Sequence, residues 1–393
     1  MRILIVLTYY RPHTSGLTIY TERIAKAFAQ RGHQVTVLTM QYEKSLPSEE
    51  VVDGVRIVRV PVAFRISKGV IAPTYGFYAT RLVRENDVLQ IHLPQFDAPG
   101  VALRGRLMGK PTVLVYHCDL KLPSGLFNYM VNKVVFVMNH LAARLANRIV
   151  TYTQDYADHS PYLSRYAYKT RIIPPPVELP PSPSGAKESF ARKYRLTERH
   201  PVIGMAARMA SEKGVEVLLD AFPRILEKYP QAKILFAGQY EDVLGEHEYF
   251  QKLIPAIKKY QSQNQWEFLG VLTPSEMAAF YPNLDVLVVP SLNSTEAFGL
   301  VQIEAMMNGT PSCASALPGV RQPVLTTGMG KVVPIGDSAS LAQAILEIVD
   351  NPNKFSGNPP GIAKRYAPDT VASEYETLFE ELLRVKERRQ LLT

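Results

Sequence analysis

Two cations and two carboxylates in the second half of the chain carry the strongest chemical signal. The carboxylates are Glu296 and Glu304, in Pro290-Ser291-Leu292-Asn293-Ser294-Thr295-Glu296-Ala297-Phe298-Gly299-Leu300-Val301-Gln302-Ile303-Glu304-Ala305. The run before Pro290 reads as a buried strand, and the period of Leu300, Ile303, Ala305 and Met307 predicts a helix beginning near Phe298. Glu296 then falls in the loop after the strand and Glu304 two turns into the helix. A helix start presents unpaired N–H groups and the positive end of the dipole, which together attract anions. Gly299 would let a ligand approach that backbone closely. A diphosphate at the helix start, flanked by carboxylates that accept from sugar hydroxyls, fits this pattern. A helix with two surface glutamates is the plain alternative.

The cations tip that balance. Arg208 follows the predicted strand 201–206, and Lys213 follows in Ser211-Glu212-Lys213-Gly214. The carboxyl ends of strands are where open α/β sheets bind ligands. A guanidinium fork beside an ammonium point charge suits a pyrophosphate leaving group. A solvated charge run would explain Lys213 alone but explains both less well. His117 follows another apolar run, 111–116, and by itself a histidine there is more often structural than functional.

These groups need a scaffold, and the rhythm of the chain supplies one. Short Val/Ile/Leu runs at 2–7, 34–39, 55–60, 87–92, 111–116, 148–153 and 171–173 alternate with segments of helical period such as 17–31 and 126–147. The pattern resumes with runs at 201–206, 232–237, 265–269, 286–289, 311–314 and 330–333, and helices over 215–229 and 340–350. Thr273-Pro274-Ser275-Glu276 is a capping box that opens a short helix. Between the two series lies Pro174-Pro175-Pro176-Val177-Glu178-Leu179-Pro180-Pro181-Ser182-Pro183, which cannot enter a sheet or helix interior. The expected class is therefore α/β, two Rossmann-like doubly wound domains facing a central cleft. The domains would be 1–175 and 196–365, with 176–195 as a Pro-rich linker and 366–393 as a C-terminal helix that could pack back across the hinge.

Several classes are excluded by what is missing. No G-x-G-x-x-G follows a strand, and the nearest approach to a Walker A loop, Gly330-Lys331, lacks its first glycine and its Ser/Thr. The two cysteines, Cys118 and Cys313, have no metal-ligand spacing and read as buried free thiols. With 46% hydrophobic and 20% charged residues among 393, disorder and disulfide scaffolds are ruled out. No apolar run is long enough for a transmembrane helix, and the run at 3–7 is too short for a signal peptide. Charge is uneven. Residues 1–180 hold 22 basic and 12 acidic side chains, a balance of +10, whereas 181–393 come to −2. The first half therefore suits an anionic partner.

Taken together, Arg208, Lys213, Phe268-Leu269-Gly270, Glu296-x7-Glu304, Gly309-Thr310-Pro311 and Leu317-Pro318-Gly319-Val320 resemble the donor-site pattern of retaining GT-B glycosyltransferases of family 4 (glycosyl transferases group 1). Ser15-Gly16, Glu22, Leu38 and Thr39 extend the resemblance to the N-terminal half. It implies that Arg208 and Lys213 hold the donor diphosphate and that Glu304 binds the nucleotide ribose. Glu296 and the backbone of Ala297, Phe298, Gly299 and Leu300 would hold the donor sugar. Gly16 and Gly270 would border the donor, and His117 would lie near the reaction centre. The chain departs from the family in having one glycine in the N-terminal loop. It also has proline-rich sequence in place of the usual Asn-Gly-Val-Asp after the interdomain strand.

The resemblance implies hexosyl transfer with retention from a UDP- or GDP-sugar, using no cofactor and no metal. No D-x-D pair lies in a suitable strand-end loop. Glu296 as a covalent nucleophile and same-face attack remain open alternatives. A sugar-nucleotide epimerase and a non-catalytic nucleotide-sugar-binding protein are the competing readings. The basic first half would receive a saccharide or lipid-linked acceptor in cell-surface glycan synthesis. Two stretches there suit an anionic membrane surface or core packing equally. One is the apolar segment from Leu122 to Met138. The other interleaves Phe64, Ile66, Val70, Ile71, Tyr75, Phe77 and Tyr78 with Arg65, Lys68, Arg81 and Arg84. No nucleic-acid reader motif is present. The expected location is the cytoplasm, with peripheral contact to the inner face of the cell membrane.

Overall fold

The apolar opening run forms β1 (Arg2–Val6), whose Ile3, Leu4, Ile5 and Val6 are wholly buried, as the centre of a sheet covered on both faces requires. In the computed structural model, residues 1–66, 69–120 and 125–390 are described. Lys68 of the aromatic–basic patch and Leu122, Pro123 and Ser124 of the apolar segment lie outside them. The chain forms two units, Met1–Pro176 with Tyr366–Thr393, and Val177–Arg365.

In the first unit β1 is followed by α1 (Gly16–Gln30), β2 (Gln34–Gln41), β3 (Glu49–Val52), β4 (Val55–Pro61), β5 (Phe64–Ile66), β6 (Gly69–Ile71), α2 (Tyr75–Glu85) and β7 (Val88–Leu93). Next come α3 (Ala98–Leu107), β8 (Thr112–Tyr116), α4 (Leu126–Leu145), β9 (Arg148–Thr151), α5 (Gln154–His159) and β10 (Thr170–Ile172). Eight strands join in the order β10-β9-β8-β7-β1-β2-β4-β3. All neighbours are parallel except the edge strand β3, which runs antiparallel to β4. Strands β3, β5 and β6 are short and largely exposed, so they carry no buried Val/Ile run for periodicity to detect.

The second unit contains α6 (Ala186–Lys193), β11 (Val202–Ala206), α7 (Val215–Lys228), β12 (Lys233–Ala237), α8 (His247–Ser262), β13 (Trp266–Gly270), α9 (Pro274–Phe280) and β14 (Val286–Val289). These lead to α10 (Leu300–Met307), β15 (Ser312–Ser315), α11 (Gln322–Thr327), β16 (Gly330–Val333), α12 (Ser338–Asp350) and α13 (Pro359–Tyr366). The six strands run parallel in the order β13-β12-β11-β14-β15-β16, with the sheet reversing direction between β11 and β14. The capping box at α9 is formed in full, Thr273 and Glu276 each satisfying the other's backbone N–H.

Within 176–195, read from the sequence as spacer, residues 186–193 instead form α6. The proline run ends at Pro183, Gly185 takes a left-handed turn (φ 75°), and Phe190 is buried beside Phe280. The final helix, α14 (Pro368–Gln390), belongs to the first unit. Its Tyr375 and Phe379 are wholly buried against Phe28 of α1, and the Tyr20 and Tyr375 hydroxyls are 2.6 Å apart. Of the cysteines, Cys313 is buried as expected, whereas Cys118 is partly exposed because the chain has left β8 by that point.

Candidate active site

Within the second unit, the strand order reverses between β11 and β14, the switch point beside which open α/β sheets bind ligands. Arg208 and Lys213 come from the first loop and Glu296 from the second. Backbone joins the loops, the Leu292 N–H donating to the Glu212 carbonyl at 2.9 Å. Gly214, at φ 68°, lies so close to the second loop that a Cβ would sit 2.2 Å from the Pro290 carbonyl oxygen. Only glycine fits, and it ends the Ser211–Lys213 turn with Lys213 aimed across the gap. The Lys213 ammonium donates to Glu296 Oε2 at 2.6 Å, and Glu296 Oε1 accepts from the Gly299 N–H at 3.0 Å.

Arg208 is half-exposed, its guanidinium donating to Glu212 Oε1 at 2.8 Å. Ala297 and Phe298 bury their side chains, so this loop offers a ligand its main chain. The helix begins at Leu300 rather than near Phe298, because Gly299 is left-handed (φ 78°) and acts as N-cap. Glu304 therefore sits just over one turn into α10. It is buried, and Oε2 accepts from the Tyr281 hydroxyl at 2.8 Å. Gln302 is also buried and ties the loop down, donating to the carbonyls of Phe298 and Val320. Gly270, left-handed at φ 69°, ends β13, two strands away from β11. Neither Tyr281 nor Gln302 was singled out from the sequence. Tyr281 follows the capping-box helix, and nothing local marks it as a partner of a residue 23 positions on.

In the first unit the sheet reverses between β1 and β7. Gly16 opens α1 after the β1 loop, with Ser15 as N-cap accepting from the Thr18 N–H, and a Cβ there would meet nothing within 4 Å. His117 follows β8 and is buried. Its Nε2 is 2.7 Å from Nδ1 of His92, and its Nδ1 is hydrogen-bonded to the Tyr152 hydroxyl. The protons can be placed. Gln90 Nε2 donates to His92 Nε2 (3.2 Å), so His92 carries its proton on Nδ1 and donates it to His117. Thr21, whose hydroxyl donates to Leu17, agrees by leaving its oxygen as an acceptor toward the same His92 Nδ1. His117 then keeps a proton on Nδ1 and shares it with Tyr152. Burial pushes the His117 imidazole down to about 3, and burial together with the neighbouring His117 pushes that of His92 down as well. Both rings are neutral at pH 7, and both His117 nitrogens are engaged, so this ring serves as a fixed neutral group rather than a proton acceptor. His92 escaped the sequence reading because its role depends on β7 and β8 being neighbours.

The aromatic–basic patch divides. Tyr75 is buried, whereas Phe64 and Phe77 are exposed. Among the described residues, no group of three or more His, Cys, Asp or Glu side chains is placed to hold a metal ion. No helix among them is long and apolar enough to cross a membrane.

Comparison with known proteins agrees with this architecture. Residues 15–176 match the glycosyl transferase 4-like domain, and residues 186–358 match glycosyl transferases group 1. The chain is 25% identical over 390 residues to a phosphatidyl-myo-inositol mannosyltransferase of Mycobacterium leprae, covering 97% of this chain and 96% of that one. It is 26% identical over 385 residues to a 2-deoxystreptamine N-acetyl-D-glucosaminyltransferase of Streptomyces fradiae, covering 92% and 90%. Its fold resembles that of Anabaena HepE in complex with UDP-glucose, with a TM-score of 0.75 at 19% identity over 96% of this chain and 99% of that one. Two Rossmann-like units with the 4-like model on the first and the group 1 model on the second place this chain in the GT-B glycosyltransferases of family 4, glycosyl transferases group 1.

Proposed function

We propose that the protein transfers a hexosyl group from a nucleoside diphosphate sugar, UDP- or GDP-linked, to a saccharide or lipid-linked acceptor, with retention at the anomeric carbon. The observation that carries this reading is the crossing of Lys213 to Glu296 beside Arg208 and the start of α10, at the switch point of the second sheet. The names of the relatives support it, since two are glycosyltransferases and a similar fold was solved with UDP-glucose.

In the proposed reaction the bond from the anomeric carbon to the diphosphate oxygen breaks, and one from that carbon to the acceptor oxygen forms on the same face. The acceptor's proton passes to the departing phosphate. Charge grows on the phosphate as it leaves, so donors fixed there in advance provide the largest stabilisation. Arg208 supplies a planar fork. Lys213 has three N–H donors and spends one on Glu296, leaving others for phosphate. The Leu300 and Val301 amides, which have no intrahelical acceptor at the start of α10, add backbone donors. This set needs neither metal nor cofactor. Glu296, held by Lys213 and Gly299, would accept from a sugar hydroxyl, and Glu304 with Tyr281 would take the ribose. The resemblance assigns His117, a neutral ring in the first unit, to the reaction centre.

A panel of UDP- and GDP-sugars, screened by calorimetry and then incubated with and without acceptor, tests the proposal. Donor consumption that requires acceptor, with the anomeric configuration kept in the product by NMR, is the expected result. Turnover without acceptor would instead favour an epimerase. Binding without turnover under any condition would favour a non-catalytic binding protein. A glycosyl adduct trapped on Glu296 would replace same-face attack with a covalent route.

A further inference from the structure

Helix α4 turns an apolar stripe outward. A surface helix normally turns its apolar stripe to the core and its polar side to water. Here Leu126, Met130, Val134, Val137 and Leu141, spaced by three and four residues, form one outward stripe, with exposures from 38% at Leu141 to 78% at Leu126. On the opposite side, Asn139 is buried and the Asn132 carboxamide oxygen is shut off from solvent, while Ala142 and Ala143 make the core contact. A helix folded only to cap the sheet would not leave this stripe in water, since exposed apolar area forfeits about 25 cal/mol per Å².

Charge indicates what covers the stripe. Lys133 and Arg144 lie along the same outward face, and no acidic residue occurs between Asp119 and Asp155. The Lys133 ammonium lies over the Tyr129 ring, and the Arg165 guanidinium over Phe136, so the cations sit among the apolar groups. A helix with cations set among exposed apolar groups suits the plane of an anionic interface. We propose that α4 seats the first unit on an anionic lipid surface, its apolar stripe entering the acyl boundary and Lys133 and Arg144 meeting headgroup phosphates. Given the transferase reading, the acceptor is then an amphiphile presented from that surface rather than a free sugar.

Co-sedimentation of the full chain with vesicles tests this directly. Wild type should bind vesicles of equimolar phosphatidylcholine and phosphatidylglycerol at low salt, bind pure phosphatidylcholine far less, and release as salt rises. Met130→Asp with Val137→Asp, both exposed positions, should weaken binding to the mixed vesicles at least about tenfold with the melting temperature unchanged. Lys133→Gln with Arg144→Gln should also weaken it about tenfold and flatten the salt dependence. With a vesicle-borne acceptor the aspartate variant should show a raised KM, while donor binding and transfer to a soluble acceptor stay at wild-type levels. Equal vesicle binding by the aspartate variant and wild type would overturn the proposal. So would a dimer in sedimentation velocity that the same variant converts to monomer, which would make a second copy the occupant. Vesicle binding by wild type without transfer from any donor would uphold the interface and defeat the transferase reading alone.

Discussion

Arg208 is the side chain whose removal should cost most in rate and least in packing. It is half-exposed and pairs with Glu212, one turn away. Removing one donor aimed at developing charge typically costs about 2.7–4 kcal/mol. Arg208→Ala should therefore lower kcat roughly a hundred- to thousandfold, with circular dichroism and melting temperature unchanged. Near-normal turnover would refute its role. His117 gives a pH prediction. Its folded-state value lies near 3 against 6.5 when unfolded, so between those values the unfolded chain binds more protons. Stability supplied by the neutral ring is complete above about 6.5 and is lost as pH falls toward 3. The melting temperature should drop on acidification through that window. His117→Asn should flatten the drop, and an unchanged slope would place the acid sensitivity elsewhere. The sequence marked Arg208, Lys213 and Glu296 by their types after strands, and Glu304 and His117 by the motif pattern they complete. It did not mark His92, Tyr152 or Tyr281, whose significance comes only from what lies beside them.

At the scale of elements, the loop after β11 depends on one residue without a side chain. Gly214→Ala must place a Cβ against the Pro290 carbonyl from a left-handed backbone. We expect a loss of more than about 1–2 kcal/mol in stability, read by urea titration, and a raised donor KM because Lys213 no longer reaches Glu296. Wild-type donor affinity would show that the loop tolerates the shift. Helix α14 gives a second case. Phe379 is wholly buried against Phe28, and Phe379→Ala should cost about 3–5 kcal/mol, the range for deleting a buried aromatic. A small change would mean that α14 is not part of the first unit's core. Central strands were legible because both faces are buried and their Val/Ile runs are continuous. The edge strands β3, β5 and β6 were not, and helix α6 was masked by the prolines before it.

For the molecule as a whole, the proposed chemistry divides between units of different charge. The donor groups belong to Val177–Arg365, whereas the basic excess lies in the first 180 residues. A nucleoside diphosphate at a hundred times its Kd should stabilise by about 2.7 kcal/mol if it binds only the folded state. In calorimetry that gain should raise the melting of the second unit and vanish in Arg208→Ala. An equal gain in that variant would put the nucleotide elsewhere. Residue order alone established the two α/β units, the strand-end cations and the carboxylates, because burial writes a period into the chain and prolines break it. Which groups meet was decided by tertiary structure. Lys213 finds Glu296 across 83 residues and Tyr20 finds Tyr375 across 355. Those meetings follow from strand order and from how each helix packs, and both depend on contacts between distant segments that no local pattern encodes.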